Sequence, residues 1–183
     1  MSDSLDSVMR IIPKPAVDSE GKDWAAISQV LGFQLPSDYR RFIDNYGGGY
    51  IDRYLWVLEP GCVNPHYDLV GALEERTEAN EMLWDAGEMR PDFLDDPALR
   101  LVPWASTDNG EFIYWVVDPA RAPDEWEVAV NEARGDDWQK FPLGFSGFLS
   151  AVLQGEITSE LLSSDFPLAV HQFEPSDPAR RMA

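Results

Sequence analysis

Apolar positions along the chain change period, and those changes outline its elements. Trp24, Ile27, Val30 and Leu31 recur at helical spacing, with Gly32 as a stop. A second helix pattern opens at Leu35-Pro36-Ser37-Asp38, where proline suits a first turn and Ser37 or Asp38 can take free amides. Its apolar face is Tyr39, Phe42, Ile43 and Tyr46, and Gly47-Gly48-Gly49 ends it. Tyr50 to Leu58 then reads as one strand and Glu59 to Asp68, rich in turn formers, as a loop. From Leu69 to about Met89 the period is helical again. Leu69, Leu73, Arg76, Ala79, Leu83 and Ala86 fall on one face, and Glu74, Glu75, Glu78 and Glu81 on the other.

The second half alternates faster. Leu101–Ser106 and Glu111–Asp118 form a hairpin pattern around Asn109-Gly110, which supplies the positive φ that a tight turn needs. The run Phe112 to Val117 is apolar on both parities, the pattern of a central strand covered on both faces. Trp126 to Glu132 alternates, with Trp126, Val128 and Val130 facing one way. Gly135-Asp136-Asp137 turns the chain toward Trp138–Pro142. A helix starts at about Ser146, its natural cap, with Phe148, Leu149, Val152 and Leu153 inward and Gly155 at its end. Beyond it, ELLSS reads as a short helix and PLAVHQF as an edge strand. The class is α+β: a mainly antiparallel mixed sheet with helices packed around it. Residues 1–20 read as a mobile N-terminal arm, 21–173 as one domain and 174–183 as a polar tail.

The N-terminal third also carries a resemblance. Trp24, Leu31-Gly32, Leu35-Pro36, Asp38-Tyr39-Arg40, Phe42, Tyr46, Gly47 and Gly49, followed by an aromatic strand, resemble the SUKH (Smi/Knr-like) superfamily. LVPWASTDNGEFIYWVVD and the later FSGFLSAVL resemble that family's central strands and closing helix, so the similarity spans roughly residues 20 to 155. The family is named after a fungal cell-wall assembly regulator and is abundant among bacterial immunity proteins. The resemblance therefore implies a protein-binding domain with a Smi/Knr-like fold.

Charge sharpens that expectation. Fourteen Lys and Arg stand against 33 Asp and Glu, a net of −19. Such a surface repels phosphates and anionic lipid, so neither nucleic acid nor a membrane is the expected partner. Glu74 to Asp96 alone holds nine acids against Arg76 and Arg90. With 44% hydrophobic residues and seven Trp, the chain is too apolar to remain unfolded. The start has no basic segment followed by an apolar core, and no run reaches the ~18 apolar residues of a membrane helix. A cytoplasmic protein is the expectation.

Catalytic patterns are missing: there is no P-loop, GxGxxG, HExxH or GxSxG. The glycine triplet follows a helix, the wrong end for holding phosphate. Cys62 is the sole cysteine, and its four-residue spacing to His66 is weak evidence for a nucleophile and base. Asp108 and Glu111 lack the spacing of a calcium loop. No catalytic residue, cofactor or metal is expected, and the chain does not read as an enzyme. The leading expectation is an immunity protein that neutralises a cognate polymorphic or contact-dependent toxin, a basic nuclease domain for example, through its acidic surface. The alternative is a regulatory scaffold of the cell-wall regulator type. Charge and expected exposure select Glu74, Glu78, Asp108, Glu111, Trp115 and Asp136 as partner contacts, with Trp56 a further aromatic candidate.

Overall fold

The computed structural model describes residues 4–16 and 19–176. Five helices, α1 (Ser4–Ile11), α2 (Trp24–Leu31), α3 (Ser37–Tyr46), α4 (Leu69–Asp85) and α5 (Phe145–Leu153), surround one sheet. Its strands are β1 (Gly49–Ile51), β2 (Leu55–Val57), β3 (Arg100–Thr107), β4 (Phe112–Val117), β5 (Glu127–Asn131), β6 (Trp138–Phe141) and β7 (Phe173–Pro175). The order is β6-β5-β4-β3-β2-β1-β7 and every pairing is antiparallel. The chain is a meander whose last strand returns to the outside of the first.

Local chemistry sets the first half. Asp23 caps α2 by accepting the Ala26 amide at 3.0 Å, and Gly32 ends it at φ 78°. At α3 the capping residue is Pro36, and its first free amide, from Ser37, goes to Asp124, far along the chain. Asp38 accepts the amides of Tyr39 at 2.7 Å and of Ser146 at 2.9 Å. The start of α5 is therefore held by Asp38 of another helix, while its own cap position is Gly144 with no side-chain bond, rather than Ser146. After α3, Gly47 turns at φ 72°. A Cβ on Gly49 would lie 2.5 Å from Phe173 Cζ and 2.6 Å from the Glu174 carbonyl oxygen. Only glycine there lets β7 approach β1.

The sheet is covered on both faces. On one side Leu5, Tyr39, Phe42, Phe145 and Phe148 pack with Ile51, Val57, Trp104, Trp115 and Val128. On the other, Leu94, Leu101, Tyr114, Val116 and Ala129 form a smaller core with Trp84 of α4 and Phe93. Strand β4 thus splits its parities between two cores, as its sequence implies. The β3–β4 register shifts between Pro103 and Ala105, so Trp104 and Ala105 both join the larger core. A bulge is also where a central strand tolerates proline.

Several expectations give way. Within the expected N-terminal arm, Ser4–Ile11 is helix α1, packed on α5, with Leu5 and Val8 fully buried and Ile12 almost so; residues 1–3 and 17–18 lie outside the described part. Tyr50–Leu58 is not one strand but a hairpin reversing at Asp52 and Arg53, both at positive φ (52° and 55°). No glycine or asparagine announces this turn. The buried Asp52 carboxylate holds it by accepting the amides of Leu168 (3.1 Å) and Gln172 (2.8 Å) and meeting His171 Nδ1 at 2.7 Å. Residues 160–172 form turns, with neither the ELLSS helix nor the PLAVHQF strand, because their polar groups are taken by Asp52, Tyr54 and Gln139. The edge strand falls later, at Phe173–Pro175, so the first residues of the expected tail pair with β1; residues 177–183 lie outside the described part. Val30 is 71% exposed, and on α4 Asn80 and Trp84 turn inward where Leu83 and Ala86 were expected.

Candidate protein-binding surfaces

The outer face of the sheet at β1 and β2 carries a row of side chains in register. Glu174, Tyr50, Trp56, Ser106 and Phe112 are successive cross-strand partners from β7 to β4, and therefore share one face. Tyr50 and Tyr67 stack on opposite aromatic partnerships of Trp56, each with ring centroids 4.0 Å from it. Tyr67 reaches that position because the Glu59 amide donates to the Tyr67 carbonyl at 2.9 Å and closes the intervening loop. Glu59 in turn accepts the Gly48 amide at 3.0 Å and pairs with Lys22. Further along the row, the Arg76 guanidinium of α4 lies 4.7 Å over Phe112.

Asp108, at the tip of the β3–β4 hairpin, finishes this aromatic stack. It is exposed, yet accepts the Tyr50 hydroxyl and the Trp56 indole N–H at 3.0 Å. Partial burial, reinforced by Asp108, pushes the Tyr50 phenol well above its ordinary value. Trp56 is thus half-buried and oriented by its neighbours. An open cleft of about 510 Å³ begins beside it, lined by Asp108, Asn109, Glu111, Glu132, Ala133, Arg134, Glu160 and Leu161. Four acidic residues line it against Arg134 alone, so the cleft suits a cationic group better than an anion.

The six selected contacts divide by burial. Glu74 and Glu78 on α4, Asp108 on its hairpin and Asp136 on the β5–β6 turn are exposed. Among the described residues no cation lies within ion-pairing distance of Glu74, Glu78 or Asp136. Glu111 does not serve as a free contact: it is 5% exposed and its carboxylate accepts the hydroxyls of Tyr54 (2.9 Å) and Thr107. Tyr54 accepts the Ser163 amide at 3.0 Å, so Glu111 ties the hairpin to the segment before β7. Trp115 is wholly buried between Tyr39 and Trp104, out of reach of any partner. Its strand is covered on both faces, which removes the open side that a contact requires. Glu132 and Glu160, which complete the cleft, stand out from the chain's other acids only after folding.

The Cys62 thiol lies 3.7 Å from the Ser176 hydroxyl, and His66 is exposed on the next turn. Among the described residues no group of three or more His, Cys, Asp and Glu is arranged to hold a metal, and no helix is long and apolar enough to cross a membrane.

Comparison with known families decides what kind of domain this is. The family model SUKH_6, described as SMI1-KNR4 cell-wall, matches residues 21–149, more than half of the chain. The chain belongs to the SUKH superfamily. No curated protein and no solved structure matches it. The SUKH match begins after α1 and ends within α5, so both α1 and the returning β7 lie outside it. Gly32, the Gly47–Gly49 triplet, the Asp38-Tyr39-Arg40 run and the β3–β4 hairpin all fall inside. SUKH domains are generally immunity or regulator proteins that act by binding other proteins, which agrees with a site made of exposed carboxylates and ordered aromatics.

Proposed function

We propose that this SUKH domain is an immunity protein that binds a cognate toxin and covers its active site through an acidic surface. The observation that carries the reading is the unneutralised set Glu74, Glu78 and Asp136, exposed on a chain of net charge −19. Exposed carboxylates without internal partners lose little when they meet a cation of another protein. Their summed field raises the rate of encounter with a basic one. A nuclease domain, whose phosphate-binding cleft is positive, fits this surface. Cytoplasmic residence follows from the proposal, because a toxin acting on nucleic acid must be met there.

The test takes the product of the gene adjacent to this chain's own as the candidate toxin. Wild-type protein should bind it with an association rate that falls steeply as salt rises. Glu74→Lys, Glu78→Lys and Asp136→Lys together should slow association at least tenfold and flatten the salt dependence, with thermal stability not lowered. Affinity and salt dependence that survive the triple reversal would exclude this acidic surface. Absence of binding by the wild-type chain would exclude the immunity reading itself.

A further inference from the structure

Charge leaves three apolar side chains at the end of α4 without a role. Met82, Leu83 and Met89 are 72%, 42% and 73% exposed. Apolar residues scattered singly over a surface need no explanation, but these are gathered by the backbone. Gly87, at φ 108°, donates its amide to the Trp84 carbonyl at 3.1 Å, and the Glu88 amide returns to the Leu83 carbonyl at 3.0 Å. This pair of bonds is the Schellman reversal. It folds the chain at Glu88 back to Leu83, so that Met89 follows directly on the helical turn that bears Met82 and Leu83. Beneath them Trp84 packs into the smaller core, with the Arg90 guanidinium 5.0 Å over its ring. The apolar tip therefore stands on a fixed base.

Its surroundings are acidic apart from Arg90, whose guanidinium lies over Trp84. Glu78, Glu81, Asp85 and Glu88 are exposed, and among the described residues none of them pairs with a cation. We infer that the end of α4 is a docking knob for a basic protein segment with an apolar face. Methionine side chains adapt to irregular apolar surfaces, and the acidic rim admits only a partner that brings cations around its apolar centre. Nucleic acid and anionic bilayers are repelled by the rim. A second copy of this chain is disfavoured for the same reason, because a twofold contact would set one acidic rim against another. The inference rests on the chain being a protein-binding domain and adds the chemistry of what it binds.

The test needs no toxin. Protein carrying ¹³C-methyl methionine is titrated with a synthetic amphipathic peptide of leucine and lysine, and separately with a peptide of equal charge in which serine replaces leucine. The leucine peptide should shift the methyl signals of Met82 and Met89 and bind at least tenfold tighter than the serine peptide. Met82→Ser with Met89→Ser, which leaves the charge unchanged, should remove about tenfold of that affinity, whereas Val63→Ser, at a loop residue 80% exposed, should not. Equal affinity for the two peptides, or shifts confined to other residues, would overturn the inference. So would a concentration-dependent dimer abolished by the double serine variant, which would assign the knob to a second copy. Toxin binding untouched by that variant would sink the knob and leave the immunity reading. A failure of the wild-type chain to bind toxin would do the reverse.

Discussion

Tyr114 shows what burial does to a single group. Its ring fills the smaller core beneath α4, and Asn80 and Arg76 approach its hydroxyl without closing a hydrogen bond of normal geometry. Burial pushes its pKa up to about 12, and the two polar neighbours pull it partly back. The folded phenol holds its proton above the ordinary value near 10, so its contribution to stability is complete below about pH 10 and is lost as pH rises toward 12. Roughly 2–3 kcal/mol should disappear across that window. Urea denaturation at pH 8 and pH 11 should show about half of that loss, and Tyr114→Phe should reduce it while changing stability at pH 8 little. The same scale explains Glu111. A carboxylate beside a turn reads as exposed in sequence, but Tyr54 and Thr107 surround this one from elements that alternation alone does not bring together. Trp115 differs: the apolar run on both parities of its strand already implies cover on both faces, and that outweighs the preference of aromatics for interfaces.

At the scale of elements, α1 is the clearest departure. Eight residues ending near two prolines are too short for a stable free helix, so their sequence resembles an arm. Packing supplies what propensity lacks. Leu5, Val8 and Ile12 enter the main core, and the Tyr46 hydroxyl donates to the carbonyls of Met9 (3.2 Å) and Ile12 (3.1 Å). Leu5→Ala should therefore cost about 2–5 kcal/mol, as a core deletion does, where a loosely attached arm would lose almost nothing. A denaturant midpoint for the variant decides the matter. By contrast, α2, α3, the β3–β4 hairpin and α5 were legible because each carries its own period and its own glycine or capping signal. The β1–β2 reversal was not, because Asp52 and Arg53 carry no turn signature and depend on residues 168–172.

Over the whole molecule, an excess of 19 negative charges opposes compaction. Salt screens that repulsion over a Debye length of about 10 Å at 0.1 M. The thermal midpoint should accordingly rise between low and physiological salt, by about 2–4 °C for each kcal/mol of repulsion relieved in a domain of this size. Scanning calorimetry across salt concentrations measures it, and a flat or falling midpoint would show that the carboxylates are neutralised within the fold. The four exposed acids singled out by sequence lie on α4 and two turns, so the negative charge of the surface is spread over several elements and belongs to no single segment.

Sequence by itself determined the α+β class, the order of most elements, the glycine-closed α3, the doubly covered β4 and the sign of the surface charge. These depend on local period, on backbone permissiveness and on simple counting. Tertiary structure alone decided that helix α1 is core, that β7 closes the sheet beside β1, that Glu111 is interior, and that Asp108 orders an aromatic stack. Each of these rests on contacts between residues tens to more than a hundred positions apart, and such contacts leave no periodic trace in the chain that makes them.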